Sequence, residues 1–97
     1  MPYVLRQEQT GEIAACIQKN NYNIDYYGVK QWDDEEEAEA QRDTFLNDLG
    51  HEHLGGWLVV KLDEHRVKVC NVKLKNDPTR VLTMTPDGAL NVHTRQG

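Results

Sequence analysis

The chain has 97 residues, 38% hydrophobic and 28% charged, with a formal net charge of -5. That length fits one domain with a modest core, and the acidic balance works against non-specific binding to nucleic acid or anionic membrane. No apolar run approaches the ~18–20 residues a spanning helix requires, and the opening Met1-Pro2-Tyr3 leads into a strand pattern, not a signal peptide, so the expectation is a cytosolic protein without membrane contact.

Residues 3–7 (YVLRQ) read as a first strand. A turn at 9–12 follows, in which Gly11 can take positive φ. Residues 12–19 (EIAACIQK) predict a second strand paired to the first as a hairpin. Ile13, Ala15 and Ile17 would face one way, Ala14 and Cys16 the other. Asparagines at 20, 21 and 23 make the next turn, because Asn tolerates the left-handed conformation. Residues 24–31, with Tyr26, Tyr27 and Val29, predict a third strand, and Gly28 within it predicts a bulge or a close backbone approach.

Residues 33–49 carry the helix signal. Asp33 and Asp34 are good N-caps, Asp33 and Glu36 have capping-box spacing, and Glu35, Glu36 and Glu37 sit at the positive end of the helix dipole. Ala38, Phe45, Leu46 and Leu49 form a narrow apolar stripe, and Gly50 fits the C-terminal cap. Trp32 is placed to pack over the first turns. The opposite face is acidic. It reads either as a solvated, dipole-matched surface or as a docking face for a basic partner.

After a glycine-rich loop (51–56), residues 57–62 (WLVVKL) predict a strand. Residues 67–75 (VKVCNVKLK) predict the longest one. Its apolar residues change phase, from Val67 and Val69 to Val72 and Leu74, which predicts a bulge or bend at Cys70-Asn71, or burial on both faces. Strands at 80–85 and 89–94 flank the turn Pro86-Asp87-Gly88. The expected fold is therefore α+β: six to seven strands in a strongly twisted or partly rolled antiparallel sheet, order βββ-α-ββββ, with one helix on one face. The expected core is Leu5, Ile13, Ile17, Phe45, Leu49, Leu58, Val60, Leu62, Val67, Val69, Val72, Leu74, Leu82, Leu90 and Val92.

The chemistry-bearing residues are sparse. His51-Glu52-His53 places two imidazoles at i, i+2, so His51 and His53 are candidate metal ligands, with a further ligand needed from His65, His93, Asp63 or Cys70. The triplet lacks the spacing of H-E-x-x-H, and a solvated loop with His51 at the negative helix end is the simpler reading. Cys16 and Cys70 form no C-x-x-C pair and read as small buried hydrophobes. The sequence contains no serine, and no threonine or cysteine has nucleophile-elbow context. No cofactor signature is present: the glycine-rich loop feeds a strand, and the helix N-terminus is filled with acids that repel phosphate. The inventory argues against an enzyme.

Charge is segregated. From 33 to 53 there are nine acids and one base, Arg42, whereas from 61 to 80 there are six bases and three acids. Two binding readings follow. One is a protein-interaction or regulatory module that uses Glu36, Glu37 and Glu39, or the sheet surface near Trp57. The other is a single-stranded nucleic-acid module that uses the basic strands at 61–80 with Tyr26, Tyr27, Trp32 and Trp57 as stacking platforms. A homodimer through an edge strand (3–7 or 89–94) or through the aromatic patch accompanies the first reading.

Overall fold

The computed structural model describes residues 2–51 and 55–95. The element order is β1 (Tyr3–Gln7), β2 (Ala15–Lys19), β3 (Asp25–Val29), α1 (Glu35–Asp48), β4 (Trp57–Lys61), α2 (Glu64–Leu74), β5 (Arg80–Met84) and β6 (Leu90–Thr94). The order is thus βββ-α-β-α-ββ, which corrects the expected βββ-α-ββββ with a single helix. The strands form three antiparallel ladders, β1–β4, β2–β3 and β5–β6, in place of one broad sheet.

The correction centres on residues 64–74, which form a helix and not the longest strand. Val67, Cys70 and Leu74 are buried at i, i+3 and i+7, one face of a 3.6-residue repeat. The change of phase at Cys70-Asn71 is that repeat sampled with a period-two template, and no bulge is present there. Three valines (Val67, Val69, Val72) favour a strand, but the helix-propensity penalty is below about 1 kcal/mol per residue. Burying one apolar face outweighs it. Asp63, part of the expected turn, is the N-cap, and its side chain accepts from the Arg66 amide at 2.8 Å. Lys75 closes the helix in the left-handed region, with φ of 53°.

Residues 11–14 join the ladders. The Gln7 amide donates to Glu12 O and the Ala14 amide to Leu5 O, while the Ile13 amide donates to Leu82 O and the Met84 amide to Gly11 O. This short segment thus lies between β1 and β5. Gly11 has φ of +78°, and a Cβ there would lie 2.6 Å from the Met84 carbonyl oxygen, so a side chain is excluded on both counts. The expected β1–β2 hairpin survives only in this segment: from Ala15 onward the chain pairs with β3. β1 is therefore bonded on both sides and is not an edge strand.

β1 and β4 separate two cores. Val4 and Leu5 are consecutive and both fully buried, because alternate side chains enter opposite clusters. Val4, Val60 and Leu62 join the cluster under α2, with Ile13, Val29, Val67, Cys70, Leu74 and Leu82. Leu5, Val59 and Trp57 join the cluster under α1, with Trp32, Ala38 and Leu46. Trp32 meets Phe45 edge-on at 5.6 Å and donates its indole N–H to Gln41 Oε1 at 2.9 Å. Of the expected core, Ile17, Leu49, Leu58 and Val72 are exposed. Val72 turns outward because residues 64–74 are helical, whereas Leu58 shares its face of β4 with Val60 and Leu62 but is not covered by the larger cluster.

α2 also closes the outer edge of β3. Asn71 Oδ1 accepts from the Val29 amide at 2.9 Å, and Asn76 Oδ1 accepts from the Tyr27 amide at 2.6 Å. Gly28 lies between those two contacts. A Cβ there would meet Asn71 Oδ1 at 3.0 Å and a Tyr26 ring carbon at 2.8 Å, so this glycine marks a close helix–strand approach.

Candidate functional site

α1 begins at Asp34, whose carboxylate accepts from the Glu36 amide at 3.3 Å. Two residues of the helix, Ala38 and Leu46, are buried, and Phe45 is half-buried against the same cluster. The remaining faces meet solvent, and Glu35, Glu36, Glu37 and Glu39 are all exposed. Their partners are few. Glu37 Oε1 accepts from Gln41 Nε2 at 3.1 Å. Arg42 reaches Glu39 and Asp43, each at 3.2 Å, and extends to the Trp57 carbonyl at 3.4 Å. The single base of this helix is thus held against its own acids and the end of β4.

Beside this acidic surface lies a groove of about 320 Å³ lined by Lys30, Ala40, Gln41, Thr44, Phe45 and Asp48. The Lys30 ammonium stands 5.1 Å from the Trp32 ring centroid and 5.9 Å from that of Phe45, a placement that attracts a cation to the ring faces. Lys30 therefore belongs to the wall of the groove. Ala40 follows Glu36 and Glu37 by one helical turn, so the groove and the carboxylates share one continuous surface.

Trp57 is 4% exposed and packs in the core beneath α1. Its ring meets that of His51 at 5.1 Å in an edge-on contact. Among the described residues, His51, Arg42 and the exposed Leu58 stand near Trp57. His51 lines a second cavity, about 380 Å³, with Glu12, Ala14, Ala15, Leu49, Gly50 and Arg95. Arg95 pairs with Glu12 there at 3.5 Å. His53 lies outside the described residues. Among the described residues no three His, Cys, Asp or Glu side chains cluster as a metal site would require.

Of the six basic residues of 61–80, only Lys61 and Arg80 lie on strands, at the end of β4 and the start of β5. Lys68, Lys73 and Lys75 project from α2 or its cap into solvent, and Arg66 is tied to the Gly88 carbonyl. Arg80 donates to the Lys73 carbonyl at 3.2 Å. The aromatic residues considered for base stacking are mostly interior: Trp32 is 4% exposed and Tyr27 9%. Tyr26 is half-buried. Cys70 is fully buried, and burial pushes its thiol pKa up, as it does for the half-buried Cys16. A raised pKa depletes the thiolate that nucleophilic chemistry needs. The groove beside α1 had one sequence signal, the apolar stripe containing Phe45. The contribution of Lys30 had none, because a cation placed over two rings is a tertiary arrangement. No family model matches the chain, and no curated protein and no solved structure is significantly similar to it.

Proposed function

We propose that the protein is a non-catalytic binding module whose docking surface is the outer face of α1. Its partner is a basic protein segment with an apolar side chain between its lysines or arginines. This reading is carried by the exposed carboxylates of Glu36 and Glu37 one helical turn before Ala40 and the groove beside Phe45, with Glu39 adding charge on the other flank of the helix beside Arg42. The carboxylates attract and orient the basic segment, and the groove admits its apolar side chain. Long-range attraction of this kind accelerates encounter and weakens as salt screens it over ~8–10 Å.

The burial of Trp32 and Trp57 favours this reading over the nucleic-acid alternative, which needs aromatic faces in solvent. The test is capture from the native host, with and without nuclease, using the native chain and the variant carrying Glu36→Lys, Glu37→Lys and Glu39→Lys. The expected result is a basic protein retained after nuclease by the native chain and lost by the variant, with both chains folded alike. A partner retained equally by the variant, or a catch consisting of nucleic acid, overturns the proposal.

A further inference from the structure

The ladders of this fold expose their edges unequally. In β5 the Leu82 carbonyl accepts from the Ile13 amide and the Met84 amide donates to Gly11 O, so the even-numbered backbone groups of β5 face residues 11–14. The odd-numbered groups face β6. At the ladder ends this is explicit: the Thr85 amide donates to Ala89 O at 2.9 Å and the Arg95 amide to Thr79 O at 2.5 Å. With the register Val81↔His93 and Thr83↔Asn91, Asn91 and His93 spend their backbone groups on β5. Leu90, Val92 and Thr94 direct theirs outward. Among the described residues none of these outward groups has a hydrogen-bond partner.

Other edges are closed or charged. The β3 edge is occupied by Asn71 and Asn76. The outer edge of β4 gives its Trp57 carbonyl to Arg42 and carries Lys61. The β2 edge carries Lys19, which is paired with Asp25. Charged residues on an edge oppose pairing with another chain. β6, Leu90-Asn91-Val92-His93-Thr94, contains no Lys, Arg, Asp, Glu or Pro. Leu90 and Val92 are half-buried and pack against the larger core, so one face of this open edge is already apolar.

We propose that β6 is the interface for a second copy of this chain, with the two β6 strands antiparallel about a two-fold axis at Val92. In that register the edge is self-complementary over the whole length of β6. Val92 faces Val92 of the copy, and Leu90 faces Thr94, so every outward donor meets an outward acceptor. Shifting by one residue would oppose outward groups to groups already used by β5. The two-fold register sets Asn91 against His93 and brings no like-charged pair together, and it continues the apolar row of Leu90 and Val92 across the axis.

Thr94→Pro provides the test. It deletes one outward N–H, which the fold does not use, and proline is tolerated at an edge whose N–H faces solvent. The change counts twice in a two-fold dimer. Sedimentation equilibrium is expected to show a native dimer, with a dissociation constant at least about tenfold higher for Thr94→Pro, while thermal unfolding of the dilute, monomeric chains is unchanged. In hydrogen exchange, the Leu90, Val92 and Thr94 amides are expected to gain protection as protein concentration rises, whereas Asn91 and His93 stay protected throughout. Val92→Lys, which brings two ammonium groups together at the axis, gives a second route to the monomer. A native chain that stays monomeric at millimolar concentration overturns the proposal. So does a dimer whose Leu90, Val92 and Thr94 amides exchange freely.

Discussion

α1 and α2 are both short helices capped by aspartate, yet they hold the molecule in opposite ways. α1 rests on β1 and β4 through Ala38, Leu46 and the half-buried Phe45, and turns an acidic surface to solvent. α2 inserts Val67, Cys70 and Leu74 into the larger cluster and supplies Asn71 to the edge of β3. α1 advertises itself through charge and caps, which are local and legible. α2 is specified by what it packs against. Its valines lean toward a strand, and only the core beneath it makes the helix the better solution. The helix with the weaker local signal thus carries more of the interior, while the helix with the stronger signal is left to present a surface.

Emptying the two cores in turn should separate the helices most. Leu74→Ala is expected to cost about 3–5 kcal/mol and Leu46→Ala about 2–3 kcal/mol, because the cavity beneath α2 lies in the larger cluster and collapses less readily. Urea unfolding of both variants decides the order. A larger loss for Leu46→Ala would mean that α1, and not α2, anchors the fold.

A smaller effect is expected where each helix bonds to a strand. Asn71→Leu keeps the branched side-chain shape but leaves the Val29 amide unsatisfied, at a cost of about 1–3 kcal/mol, and hydrogen exchange should show that amide opening. Arg42→Leu releases a partly exposed 3.4 Å contact with Trp57 O and the surface pairs with Glu39 and Asp43, and should cost about 1 kcal/mol or less. Equal losses would erase the distinction between a helix that closes a strand edge and one that merely lies on a sheet.

The caps should separate the helices least. Asp63 accepts from its helix amide at 2.8 Å and Asp34 at 3.3 Å. Asp63→Ala is therefore expected to cost about 1 kcal/mol and Asp34→Ala about 0.5 kcal/mol, read from thermal unfolding. Asp34→Ala the more damaging of the two would show that the local signals of α1 carry energetic weight as well as legibility.

Features that depend on neighbours along the chain could be read from the residues. These are the acidic helix with its aspartate cap, the positive φ at Gly11, the turn at 86–88, the asparagine turn at 20–23, and strands close to the observed β1, β3, β4, β5 and β6. Caps, turn chemistry and alternation act over a few residues, so they can be read without knowing what lies opposite. The candidate surface was legible to the same extent: Glu36, Glu37 and Glu39 were readable as exposed helix acids, but the groove walled by Lys30 and Phe45 was not. Tertiary structure alone decided the rest. It made residues 64–74 a helix, sent Leu5 and Val4 into separate cores, drew Trp57 inside, and left β6 as an open edge while asparagines closed β3. Each of those outcomes turns on which surface faces a segment. Apolar runs such as 67–74 satisfy either period until the opposing surface selects one.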